Sequence, residues 1–323
     1  MRTRTSHAAM AQPPMAIVAN RWWVYQRERF PVFAHAPVIL AFSLSAIAYS
    51  ALLRGAAGLP GWKPCLVAFL SSFLSFLQLR LADEFKDFEE DSRYRPYRPV
   101  PRGLIKLRDL AWLWAGCMAL QLLLSLWLAP RLAILLAATW IYLWLMTKEF
   151  FVRRWLKARP VVYMVSHMAI MPLVDFYATA CDWIPLGRHT PPRGLLWFLL
   201  VSLFNGMVIE IGRKLRVPQD EETGVETYSF LWGRRRAVVV WLSIMTTTAG
   251  LACVAARNIR FAAPVLVILA AVIAVAAAFA VAFLRTQASG AGKRLETMAG
   301  IWSLLLYLSL GVLPIALRFW RLM

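Results

Sequence analysis

The residues of this chain best suited to chemistry form one acidic run, Asp83-Glu84-Phe85-Lys86-Asp87-Phe88-Glu89-Glu90-Asp91, followed at once by Arg93-Tyr94-Arg95-Pro96-Tyr97-Arg98-Pro99-Val100-Pro101-Arg102-Gly103. Asp83, Asp87 and Asp91 recur every fourth residue, so on a continuing helix they share one stripe with only modest angular drift. Three like charges on one face repel one another unless a cation sits among them. An all-oxygen site of this kind suits Mg2+, which is held through one or two carboxylates and substrate phosphates. The arginines that follow offer planar donors to phosphate oxygens, and the prolines between them stiffen the backbone. Carboxylates for metal beside arginines for phosphate make up a diphosphate site. A solvated helix end and a basic loop are the plainer alternatives, and the triple spacing at a membrane boundary favours the site.

A second acidic segment follows the sixth apolar stretch, with Glu210, then Arg213, Lys214 and Arg216, then Asp220, Glu221 and Glu222. Two acidic groups on one membrane face can jointly hold two metal ions over one diphosphate. Glu210 also has Arg213 and Lys214 three and four residues on, so an ordinary intrahelical pair worth a few tenths of a kcal/mol is an equal reading.

The elements that must position these groups are set by composition. Of 323 residues, 60% are hydrophobic and 16% charged, and the mean hydropathy is +0.58. Soluble domains carry about a quarter charged residues. The chain is therefore expected to be an all-α integral membrane protein. Apolar stretches of the length needed to cross a hydrocarbon core of about 30 Å number nine, at residues 32–53, 62–82, 110–129, 132–147, 161–180, 195–211, 238–256, 261–284 and 297–317. The fourth is short.

Charge tests this count. With alternate loops assigned to alternate sides, 27 of the 36 Lys and Arg fall on the side of the N-terminus, as do 15 of the 17 acids. Excess Lys and Arg mark the cytoplasmic side, which predicts a cytoplasmic N-terminus and cytoplasmic acidic loops. The net charge of +19 would suggest nucleic acid in a soluble protein; here it reads as orientation, and no nucleic-acid partner is expected. Residues 1–31 read as a basic cytoplasmic tail and 32–323 as the membrane domain. The acid-free stretch 1–20 fits a disordered tail better than a short transit peptide. Cys65, Cys117, Cys181 and Cys253 lie in separate apolar stretches with no metal-binding spacing. His35 and His167 read as core histidines, and Asp175 as a structural or interfacial group near the outer boundary.

The acidic run and its successor resemble the UbiA superfamily of intramembrane prenyltransferases, whose first signature is an Asn followed at four-residue intervals by two Asp and then RP(V/L/I)PxG. Here these positions read Asp83, Asp87 and Asp91, then Arg98-Pro99-Val100-Pro101-Arg102-Gly103, with Asp83 in place of the Asn. The nine-span count is similar to the family as well. In the second segment Asp220, Gly224 and Gly233 match the family frame, while the preceding family Asp falls on Arg216; a three-residue insertion around 214–216 would bring Glu210 into register instead. The resemblance makes Asp220 the leading second-site ligand, then Glu210 and Glu221. Lys148-Glu149-Phe150-Phe151-Val152-Arg153-Arg154 resembles a family loop of the form Tyr-Pro-x-x-Lys-Arg, with Glu149 at the Tyr and Arg153-Arg154 at the Lys-Arg.

What the resemblance implies is a Mg2+-dependent enzyme of the bacterial plasma membrane that moves an isoprenyl group from an isoprenyl diphosphate to a hydrophobic or aromatic acceptor and releases diphosphate. Asp83, Asp87, Asp91 and Asp220 would be catalytic; Arg98, Arg102, Arg153, Arg154 and Lys214 would bind diphosphate; metal would lie on Asp83, Asp87, Asp91, Glu210, Asp220 and Glu221. Arg153 and Arg154 are equally readable as topology determinants. A related terpene cyclase would use the same aspartates without an acceptor. A cation transporter would need ionisable groups across the midplane, and the spans carry almost none.

Overall fold

A computed structural model describes residues 20–320, and every regular element among them is helical. In chain order these are α1 (Arg21–Arg29), α2 (Val32–Leu53), α3 (Trp62–Lys86), α4 (Phe88–Tyr94), α5 (Leu107–Leu128), α6 (Leu132–Thr147), α7 (Arg153–Lys157), α8 (Pro160–Met168), α9 (Ile170–Trp183), α10 (Leu195–Gly212), α11 (Tyr228–Trp232), α12 (Arg234–Arg257), α13 (Ala262–Arg285), α14 (Ala291–Leu310) and α15 (Val312–Trp320). Eight helical units are long and apolar enough to cross a membrane: α2, α3, α5, α8 with α9, α10, α12, α13, and α14 with α15. The expected fourth span, α6, has 16 residues and falls short of that length. A multi-pass membrane bundle results, because in hydrocarbon a helix is one of the few structures that satisfies every backbone group internally.

Two of the spans are broken, each for a local reason. Pro172 has no N–H to offer the carbonyl four residues earlier and its ring crowds that turn, so the helix interrupts at Ala169 between α8 and α9. Gly311 separates α14 from α15 and lies directly on the Ser45 backbone of α2, where a Cβ would have no room. Gly311→Ala should therefore overpack this crossing and cost about 1–3 kcal/mol, seen as a lower melting temperature of the full chain.

The interior is one large apolar core in which Trp241, Trp302, Tyr49 and Phe198 are fully buried. Its polar members are tied to each other: Tyr307 donates to Asp175 at 2.8 Å, and Asn205 donates to Ser303 at 2.8 Å. At the far end of the bundle Arg54 and Ser50 both donate to Asp182, Arg54 Nε at 2.7 Å. These contacts give Asp175 and Asp182 structural partners away from the acidic motifs.

Residues 1–19, to which the disordered-tail expectation belongs, lie outside the described residues. The end of the basic tail is α1, capped by Asn20, whose side chain accepts from the Trp22 N–H. It packs Tyr25 into a second small core with Leu81, Val100, Ile105 and Leu110. Arg29 pairs with the buried Glu84, Arg21 with Asp109 at 3.0 Å, and Glu28 receives both terminal nitrogens of Arg102 at 3.1 and 2.9 Å. The helix thus straps the arginine-proline loop to α3.

Candidate functional site

The four-residue spacing of the first motif survives as a backbone ladder. Asp87 N–H donates to the Asp83 carbonyl at 2.9 Å, Asp91 to Asp87 at 2.8 Å, and Arg95 to Asp91 at 2.8 Å. The helix itself breaks at Asp87, whose φ of −100° and ψ of 8° cap α3 and start α4. Around this joint the three carboxylates meet different surroundings. Asp83 is partly open, with Arg80 at 3.4 Å and Lys86 at 3.9 Å. Burial pushes the Asp87 carboxyl up against the pull of Lys86, and Asp83, Asp91 and Glu90 push it the same way. Burial is the main cause, and the neighbouring acids add to it. Asp91 is buried between Arg98 at 2.6 Å and Arg95 at 3.4 Å, and its Oδ1 has no hydrogen bond.

The other loops close on this joint. Glu90 takes Arg153 at 3.1 Å and also Lys157; these cations overcome the effect of burial and hold its carboxyl below the usual range. Glu149, Phe150 and Phe151 run through positive φ, strain that brings the Glu149 carboxylate to bury itself with Arg153 Nε at 3.4 Å. Arg154 is exposed and has no ion pair among the described residues. From the second segment, Gly224 adopts φ +78° against the Tyr94 ring, and Tyr97 donates to Glu222 at 3.3 Å.

Glu210 is buried and holds Arg213 at 2.6 Å and Lys214 at 2.9 Å, so the intrahelical pair forms. The Glu210 carboxylate raises the Arg213 guanidinium against the effect of burial, and Asp83 adds to the rise. Asp220 lies farther out. It accepts Ser289 Oγ at 2.5 Å and the Gly290 N–H at 2.8 Å, which hold its carboxyl below its ordinary range and pin the loop to the α13–α14 turn. A lowered carboxylate contributes its tether above the ordinary Asp range and loses it only as pH falls below that range. Asp220→Ala should open residues 217–227 to limited proteolysis with less than about 1 kcal/mol lost from global stability. Glu221 is occupied by the Thr227 hydroxyl at 2.6 Å.

Arg98 is therefore in direct contact with the first motif, Glu210 pairs with Arg213 and Lys214, and Arg102, Asp220 and Glu221 are held by other partners. Among the described residues no three His, Cys, Asp or Glu side chains gather tightly enough to hold a metal unaided. The donors nevertheless fit Mg2+: they are all carboxylate oxygens, Asp87 has no ion pair among the described residues, the buried Asp91 Oδ1 has an ion pair with Arg95 at 3.4 Å but no hydrogen bond, and phosphate oxygens would complete the set.

Sequence reasoning missed Glu84, Lys86 and Tyr163. Lys86 donates to the Tyr163 hydroxyl at 2.9 Å, and Tyr163 stacks on His167 with ring centroids 3.9 Å apart. The four-residue spacing of Tyr163 and His167 was visible, but their meeting with Lys86 across two helices was not.

Comparison with known proteins places these features in context. The profile of the UbiA prenyltransferase family matches residues 43–304. No curated protein matches the chain in sequence. Among solved structures, a digeranylgeranylglyceryl phosphate synthase shares 16% identity at a TM-score of 0.61, with 92% of this chain and 100% of that one covered. A UbiA homologue from Aeropyrum pernix K1, in the apo state, shares 12% identity at a TM-score of 0.61, covering 87% and 97%. A UbiA homologue from Archaeoglobus fulgidus, bound to DMAPP and Mg2+, shares 14% identity at a TM-score of 0.55, covering 90% and 99%. At these identities the likeness is one of fold.

Proposed function

Because this chain belongs to the UbiA prenyltransferase family, we propose that it transfers an isoprenyl group from an isoprenyl diphosphate to a hydrophobic or aromatic acceptor within the membrane and releases diphosphate. One observation carries the reading. The Asp83–Asp87–Asp91 ladder ends against Arg95 and Arg98, which reach the Asp91 carboxylate at 3.4 and 2.6 Å.

The residues divide the work by charge and by depth. Arg98 and Arg95, held by Asp91, present planar donors to phosphate, and Arg213 and Lys214, just past the end of α10, would add cations on leaving Glu210. Asp83, Asp87 and Asp91 would hold Mg2+, with Glu210, Asp220 and Glu221 as the second group once they exchange their present partners for it. When bound, Mg2+ supplies neutralisation of the negative charge that builds on a departing diphosphate. Arg153, Arg154 and Arg102 would be further donors to phosphate. The bundle interior is largely apolar, with buried polar groups such as Gln78 and Asn205 within it, and its apolar walls would suit an isoprenyl chain and keep water from an allylic cation. The DMAPP and Mg2+ bound by the Archaeoglobus fulgidus homologue support the same donor class and metal here. In a bacterial plasma membrane the basic face would lie in the cytoplasm, where soluble diphosphates are found.

The purified full chain in nanodiscs, given geranyl, farnesyl or geranylgeranyl diphosphate with Mg2+, should release diphosphate in a metal-dependent way. Incubating host membranes with the labelled donors should then label a lipid or aromatic acceptor. A cyclic hydrocarbon formed from donor alone would instead identify a cyclase, and no release from any donor would refute the reading.

A further inference from the structure

Lys86 lies inside the first acidic run, yet its hydrogen bond goes to a phenol. Its side chain is 12% exposed, and Nζ donates to the Tyr163 hydroxyl at 2.9 Å while the nearest carboxylate oxygen, on Asp83, is 3.9 Å away. An ammonium carries three N–H donors, and this one has a single hydrogen-bond partner among the described residues. Leaving such donors unspent in a largely enclosed place is costly. Tyr163 is in the same condition. Its oxygen accepts from Lys86, and its own proton has no acceptor among the described residues.

The pair is held firmly from behind. The Tyr163 ring stacks on His167 at 3.9 Å and 15°, and His167 Nδ1 bonds the Tyr163 carbonyl at 2.8 Å. Lys86 also lies 5.5 Å from the Tyr163 ring centroid, a cation–π distance. One enclosed cation and one phenol, fixed at the junction of α3 and α8 beside Asp83 and Asp87, thus present unspent donors where an anion with several oxygens would satisfy them.

From this geometry we infer that Lys86 and Tyr163 bind the diphosphate of the prenyl donor from the α8 side, opposite the arginines that follow the first motif. The inference rests on the prenyl-diphosphate reading of the site. In the reaction the bond between the allylic carbon and its oxygen breaks with both electrons going to that oxygen. The Lys86 N–H and Tyr163 O–H hydrogen bonds strengthen onto the charge that develops, and no proton is transferred from either. The acceptor's electron pair then forms the new bond to the allylic carbon, and the proton it displaces leaves to the released diphosphate or to water. His167 acts as a positioning residue for Tyr163.

The test uses the full chain in nanodiscs with Mg2+, reading the affinity of geranyl S-thiolodiphosphate and the inhibition constant of inorganic diphosphate. Tyr163→Phe keeps the stack on His167 and removes only the hydroxyl; it should weaken inorganic diphosphate about tenfold, as loss of one charge-assisted hydrogen bond does. Lys86→Met should weaken it about 100-fold and lower kcat for geranyl diphosphate by a similar factor. Lys86→Arg should recover most of both. If Lys86→Met fails to fold, Tyr163→Phe decides. Wild-type inorganic-diphosphate inhibition in Tyr163→Phe, with binding lost in Asp87→Asn, would overturn the inference and leave the donor reading intact. A folded wild-type protein that binds no thiolodiphosphate would end both.

Discussion

Asp87→Asn should lower turnover of a prenyl diphosphate at saturating Mg2+ by roughly 1,000-fold or more, the scale of losing a principal electrostatic element of a transition state. Asp87 is the central member of the ladder and the only one at the joint between α3 and α4. Its carboxyl has no ion pair within 4 Å among the described residues, whereas Asp83 and Asp91 are both paired to cations. It is thus the carboxylate freest to take a metal. The substitution removes one of several repelling charges and keeps the side chain's shape, so expression and melting temperature should be unchanged or slightly raised. Diphosphate release by purified protein and the melting curve, measured on the same preparation, check both halves of the expectation. Wild-type turnover in Asp87→Asn would refute the assignment of the first motif.

Glu84→Ala is expected to produce the largest loss of structural stability. Glu84 is 1% exposed and its partner Arg29 is 9% exposed, so the substitution leaves a buried guanidinium without its anion. Breaking such a pair costs about 3–5 kcal/mol. The loss should fall on the docking of α1 rather than on the whole bundle, since α1 is joined to the rest by this pair, Tyr25 and the surface pairs of Arg21 and Glu28. Trypsin should then cut rapidly after Arg27 or Arg29, with the remaining core still folded. Replacing both partners by Met should recover most of the protection, because a buried pair can be exchanged for apolar packing at little cost. Slow trypsin cleavage in Glu84→Ala would show that Arg29 does not depend on it.

Sequence reading found eight of its nine expected spans, α6 falling short of the length, and the first motif for the same physical reason: both are periodic and local. Hydrophobic runs show where the chain crosses hydrocarbon, and Asp83, Asp87 and Asp91 keep their register because backbone hydrogen bonds tie each to the next. What it missed depends on contacts between distant segments. Asp220 matched a family frame, and nothing local showed that Ser289 and Gly290 would claim its carboxylate from 69 and 70 residues away. Arg102 belonged to a phosphate-like loop, yet Glu28 of α1 holds it. Lys86 was one cation within an acidic run until α8 brought Tyr163 to it. The α14–α15 break was equally hidden, since Gly311 yields to the Ser45 backbone of a helix far away in sequence.

The shortness of α6 bears on how the surrounding lipid is arranged. Its 16 residues rise about 24 Å, roughly 6 Å less than a typical hydrocarbon core. Its outward side, with Ile134, Ile141 and Trp144 exposed, therefore offers acyl chains a shorter apolar wall than its neighbours do. Such mismatch is relieved by local thinning of the bilayer. Headgroups beside α6 would dip toward the strained Glu149–Phe151 turn that follows it, lowering the rim of the bundle on that flank.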